Sequence, residues 1–161
     1  GSLGNMEFIQ GRLAIGEPMA PPIIREVKRH IDPTKEVIID VSPGTSCPVI
    51  EAVKDSDFCL LVTEPTPFGL NDLSLAVEVM RKLGILCGVV INRVGIGDGK
   101  VEQYCHEQGI PILLKIPLDR DIATLYSKGI PLIEGKPEWH NTFLKLFQDI
   151  KEIVSANQAV K

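Results

Sequence analysis

With 161 residues the chain is long enough for one domain with a sizeable core, since a domain of about 150 residues buries about 68–70% of the surface its unfolded chain exposes. Its net charge of −4 comes from interspersed acidic and basic residues, which excludes the basic face that nucleic acid or anionic lipid would need and leaves a protein or a small ligand as the expected partner. No apolar run approaches the roughly 20 residues of a membrane span. The four cysteines, Cys47, Cys59, Cys87 and Cys105, lie far apart without a secretory signal, so reduced thiols and a cytoplasmic setting are expected.

In chain order, residues 1–10, opening on Gly1-Ser2, read as a cloning scar or leader, and residues 11–161 as a single α/β domain. Pro22–Ile31 predicts a helix ended by Asp32-Pro33, and Glu36–Val41 predicts the first strand. Phe58–Thr63 is the second strand, followed by a helix over Asn71–Leu83, whose apolar face is Leu73, Val77, Met80 and Leu83 and whose stop is Gly84. Cys87–Asn92 is the third strand, Gly99–Gln108 a helix closed by Gly109 and Pro111, and Ile112–Ile116 the fourth strand. A short helix follows Asp119, with Ile122, Leu125 and Tyr126 facing inward and Gly129 as its stop. Residues 138–154 carry Trp139, Phe143, Leu146, Phe147, Ile150 and Val154 at helical spacing; the polar face mixes Lys145 and Lys151 with Asp149 and Glu152. It lacks the cationic excess of a membrane-surface helix and is expected to pack on the sheet. Strands nearly continuous in Val, Ile and Leu, alternating with helices, predict an α/β fold with a mostly parallel sheet covered by helices on both faces.

Ligands bind at the carboxyl ends of the strands in such sheets. The predicted strands end in Asp40, in Thr63-Glu64-Pro65, in Asn92-Arg93 and in Pro117-Leu118-Asp119. Asp40, near the turn at Gly44, is placed either to hold a water on Mg²⁺ while the glycine amide faces a terminal phosphate, or to cap the next helix. Asn92 suits a purine edge or a turn. Pro117 and Asp119 suit the wall of a base site or a proline-restricted turn followed by an N-cap.

No G-x-x-x-x-G-K-S/T phosphate cradle, nor a Lys-Gly-Gly variant of it, occurs in the 161 residues. The combination of Asp40–Gly44, Val62–Thr66, Val89–Arg93 and Ile116–Asp119, in that order and at these intervals, nevertheless resembles the MinD/ParA/Mrp branch of P-loop ATPases. The stretches Pro43–Pro48 and Thr63–Leu70 are most similar to MinD-like ATPases with an inserted ferredoxin domain carrying 4Fe–4S clusters. The resemblance covers Gly11 to about Ile133 and matches the portion after that insert. It implies a MinD/NifH-type, P-loop NTPase-like fold lacking its first strand. It further implies ATP and Mg²⁺ in the intact parent, with Asp40 organising Mg²⁺ through water, Pro43, Gly44 and Thr45 around the γ-phosphate, Glu64 on the rim, and Asn92, Arg93, Pro117 and Asp119 around adenine. Implied partners are the protein's own remaining portion or a second copy in an ATP-closed homodimer, and an iron–sulfur or redox client. Hydrolysis would need the missing P-loop, so the chain alone is expected to be inactive.

Cys59 and Cys87, within apolar strands, read as inert core residues, and Cys105 beside His106 lacks zinc-site spacing. Cys47, seven residues after Asp40, occupies the offset at which the nitrogenase iron protein, a relative of that family, places a cluster ligand; the alternatives are a loop thiol beside the nucleotide or at a dimer contact. The expected thiol reactivity puts Cys47 first, Cys105 intermediate, and Cys59 and Cys87 last. A central strand missing from the sheet leads to the expectation that Val37–Val41 pairs directly with Phe58–Val62. The competing functional readings are a stand-alone regulatory module of receiver type, weakened by the single acid at the first strand's end, and an interaction domain without nucleotide.

Overall fold

The computed structural model describes residues 2–3, 6–13, 19–95 and 97–159. The chain divides into two compact units, residues 1–56 and residues 57–161.

In the first unit, β1 (Ser2–Leu3) and β2 (Met6–Glu7) form a short antiparallel pair. Helix α1 (Pro21–Lys28) starts on prolines, which lose nothing in a first turn whose N–H groups have no helical partner. It packs against α2 (Cys47–Val53), whose Val49, Ala52 and Val53 recur at helical spacing and are buried. Two contacts fix the pair: Arg25 Nη1 meets Glu51 Oε2 at 3.4 Å, and the Lys28 ammonium donates to the carbonyls of Glu51 (3.2 Å), Ala52 (3.3 Å) and Lys54. Those carbonyls end α2, where a cation answers both the unpaired acceptors and the negative end of the helix dipole.

The second unit is built on three parallel strands in the order β3 (Phe58–Thr63), β4 (Leu86–Val94), β5 (Ile112–Pro117). The register pairs Cys59 with Cys87, Leu61 with Val89 and Thr63 with Ile91 across β3 and β4. It shifts twice between β4 and β5, so that Val90 meets Leu114 and Val94 meets Pro117. Helix α3 (Pro67–Leu83) runs against β3 and β4, α4 (Lys100–Glu107) packs on α3, and α7 (Trp139–Gln158) packs on β5. Helices α5 (Arg120–Ser127) and α6 (Leu132–Gly135) lie between β5 and α7 in sequence and pack on each other. The core joins Val89 and Ile91 of β4 to Leu73 and Val77 of α3, Val101 and Cys105 of α4, and Ile110. A side-chain period of two along β4 and of three to four along the helices puts these residues on facing surfaces.

Several sequence expectations hold to within a few residues: Phe58–Thr63 is β3, and β4, β5, α3, α4 and α7 enclose or overlap their predicted spans. The fold class is α/β with parallel strands and surrounding helices, as expected. Four expectations are corrected. Glu36–Val41 lies outside any strand, and Ile38 is 87% exposed, so composition alone does not make this run a strand. Among the described residues β3 pairs with β4 alone, so the expected direct pairing of Val37–Val41 with Phe58–Val62 is not formed. The expected loop around Cys47 is instead the first turn of α2, where Pro48 starts the helix rather than breaking it. Tyr126, expected to face inward, is 87% exposed, since the short α5 buries no residue completely.

Candidate functional site

The carboxyl ends of β3, β4 and β5 form one polar rim. At the end of β3, the buried Thr63 hydroxyl donates to the Gly69 carbonyl at 2.9 Å, and Thr66 Oγ1 accepts from the Gly69 amide at 3.0 Å as the N-cap of α3. Gly69 is required there: a Cβ would stand 2.2 Å from the Glu64 carbonyl oxygen. A second glycine, Gly97, sits at φ +116 with its hypothetical Cβ 2.1 Å from the Pro65 carbonyl oxygen. Two close backbone approaches thus clamp the segment 64–66 between α3 and the loop after β4.

At the end of β4, Arg93 adopts a left-handed φ of 58°, uncommon without glycine, and the Asn92 Oδ1 accepts its backbone N–H at 3.0 Å. Arg93 Nη1 reaches Glu64 at 3.3 and 3.5 Å, an ion pair open enough to solvent that its worth is in placement more than in stability. The Leu118 amide donates to the Val94 carbonyl at 2.9 Å, which joins the Asn92-Arg93 and Pro117–Asp119 ends directly. Asp119 caps α5 by accepting the Asp121 amide at 2.7 Å and pairs with Lys136 Nζ at 3.2 Å. The Asp121 amide bond, followed by the Lys136 contact, holds the Asp119 carboxyl below the usual carboxylate range, and the same pairing raises Lys136.

Glu64, Asn92, Arg93, Pro117 and Asp119 therefore share one rim. Within it Asn92 and Asp119 make the turn and cap bonds that were the structural alternatives for them. Sequence reasoning missed Lys136, which no motif marks, and Gly97, for which the run of glycines at 95, 97 and 99 was an available signal. The expected phosphate-side set, Asp40, Pro43, Gly44 and Thr45, lies in the first unit; all four are exposed, and Gly44 has φ +116, the left-handed geometry that a tight turn asks of glycine. Cys47 is exposed at the start of α2. Among the described residues no three His, Cys, Asp or Glu side chains are grouped to hold a metal. The donor set of a 4Fe–4S cluster is accordingly not met by these residues.

Parallel strands surrounded by helices, with their polar ends on one rim, define an α/β architecture of the kind that binds ligands at that rim. No family model matches the chain. It is similar to an uncharacterized protein of Methanocaldococcus jannaschii, 36% identical over 127 residues, covering 78% of the chain and 44% of that relative. It is also similar to an iron-sulfur cluster carrier protein of Aquifex aeolicus, 27% identical over 134 residues, covering 74% and 36% respectively. Among solved structures it matches the cell division ATPase MinD of Pyrococcus furiosus with TM-score 0.62 and 28% identity, covering 83% of the chain and 57% of MinD. The chain is thus related to the MinD superfamily, and it spans about half the length, or less, of the curated relatives it matches. No helix among the described residues is long and apolar enough to cross a membrane.

Proposed function

We propose that the chain is the nucleotide-switch portion of a MinD-like ATP-binding protein linked to iron–sulfur cluster function. The observation that carries this reading is the rim at the ends of β4 and β5, where the Leu118–Val94 bond sets Asn92-Arg93 beside Pro117–Asp119. In this reading adenine is taken at the Asn92-Arg93 and Pro117–Asp119 turns, with the Arg93–Glu64 ion pair supplying opposite charges beside them. The phosphate side is assigned to Asp40, Pro43, Gly44 and Thr45, with Asp40 holding Mg²⁺ through water and Gly44 and Thr45 facing the γ-phosphate. Phosphoryl transfer depends on positioning by a phosphate cradle and its lysine, and this sequence contains neither. The chain alone is therefore inactive, and turnover belongs to a fuller assembly with its remaining portion or with a second copy as an ATP-closed homodimer in the cytoplasm. Iron–sulfur clusters enter as cargo or as groups of another portion, serving a redox client, with Cys47 as a contact at most.

The test is amide chemical-shift mapping of the chain with ADP and Mg²⁺. Perturbations centred on residues 92–94 and 117–119 are expected, and unchanged spectra at millimolar ADP would overturn the adenine assignment. Phosphate release above a buffer blank that Asp40→Ala abolishes would overturn the inactivity.

A further inference from the structure

We propose that Cys59 and Cys87 form a two-coordinate thiolate site for a soft monovalent ion, Cu(I), at the end of the sheet opposite the polar rim. The two cysteines are register partners, second in β3 and second in β4, so their side chains leave the same face of the ladder. Neighbouring strands lie about 4.8 Å apart. A disulfide needs its Cβ atoms about 3.8 Å apart, so direct oxidation would require the paired strands to close by about 1 Å. A bridging ion requires no such movement: two metal–thiolate bonds of about 2.3 Å, the length known for zinc, span about 4.6 Å in a line.

The surroundings select the ion. Both thiols are free and half-buried, so small ions reach them while the core side is dry; Cys87 packs against the cluster containing Val89, Ile91 and Cys105. With no group of three donors among the described residues, tetrahedral zinc is not served, whereas soft thiolates alone suit Cu(I). Binding forms two Cu–S bonds and breaks two S–H bonds; two protons go to solvent, no electron moves, and the site gains a net charge of −1. Arg81 offsets that charge. Its guanidinium, fixed on Gln108 at 2.7 Å (Oε1) and 2.9 Å (carbonyl), lies near enough to Cys87 to favour its thiolate. Burial, reinforced by Cys87, pushes the Cys59 thiol up to about 11, and burial raises Cys87 as well. The metal-free pair thus stays protonated, and affinity must rise with pH.

The experiment is anaerobic titration of the full chain with Cu(I) against a chromophoric chelator. One ion per chain is expected, with affinity rising towards 100-fold per pH unit below the thiol pKa values, as release of two protons dictates. Cys59→Ala and Cys87→Ala should each weaken binding by at least about 100-fold, beyond the range of outer-shell changes, while Cys47→Ala and Cys105→Ala leave it intact. Should an alanine variant unfold, the wild-type protein still decides: Cu X-ray absorption should show two sulfur neighbours, and loaded protein should lose alkylation at Cys59 and Cys87 together. Loss of binding in Cys47→Ala, three or more ligands, or absence of stoichiometric uptake would each overturn the site.

Discussion

Replacing Gly69 by alanine sets two opposite effects against each other. Helix propensity alone favours alanine by about 1 kcal/mol. Against it stands the contact of the new methyl with the Glu64 carbonyl at 2.2 Å and with Thr63 Oγ1 at 2.9 Å. The nearer atom is backbone, so relief requires the first turn of α3 to move off the end of β3. That movement breaks the Thr66 cap, worth about 1 kcal/mol, and separates the Thr63 hydroxyl from its Gly69 acceptor. A buried hydroxyl left without a partner costs about 1–3 kcal/mol. The losses of about 2–4 kcal/mol exceed the gain, giving a net destabilisation of about 1–3 kcal/mol. Urea unfolding by circular dichroism measures it, with Gly84→Ala as the comparison: there nothing lies within 4 Å and only the φ of +68 opposes the methyl, at about 1–2 kcal/mol. Equal or higher stability of Gly69→Ala would mean that propensity wins and that the packing argument for segment 64–66 is wrong.

Lys28→Met should lower the stability of the first unit by about 1 kcal/mol, because three α2 carbonyls lose a charged donor; hydrogen exchange at residues 47–54 reports it, and unchanged protection there would remove the capping role. Native-state alkylation should modify Cys47 first and Cys105 last, since Cys47 is exposed and Cys105 is sealed in the core; this revises the expected middle rank of Cys105, and faster labelling of Cys105 than of Cys47 would contradict the burial. Asp119 has a folded-state pKa lowered from 3.8. Its contribution is therefore complete above about pH 4 and lost as pH falls through that lower value; amide exchange in residues 119–136 should quicken in that acid window, and Asp119→Asn should remove the pH dependence.

The parallel strands were readable because each is a run of apolar residues bounded by turn chemistry, and both the run and its partners lie within the chain. Glu36–Val41 also carries an apolar run, Val37-Ile38-Ile39, yet strand formation is a property of pairs of segments, and one segment's residues do not specify its pairing. The short α2 escaped notice for the opposite reason: Pro48 is punctuation in most contexts and a helix start in this one. At the rim, Asn92 and Asp119 were found as strand-end residues, but their bonds to Arg93, Asp121 and Lys136 depend on backbone turns that residue types do not specify. Lys136 lies 17 residues from Asp119, and only the packing of α6 on α5, where Gly135 admits the Leu125 side chain, brings it home.

The two outer strands of the sheet are unlike each other in a way that gives it a direction of growth. β5 carries Lys115 and ends on Pro117, residues that discourage a neighbour from docking alongside. β3 is Phe-Cys-Leu-Leu-Val-Thr, with neither a charge nor a proline, and Val62 is 66% exposed. Any further strand, whether from another polypeptide or from an identical one, is thus invited on the β3 side and turned away on the β5 side. Concentrated protein should self-associate by that margin first, and Val62→Lys should raise its solubility limit where the same charge added on β5 would not.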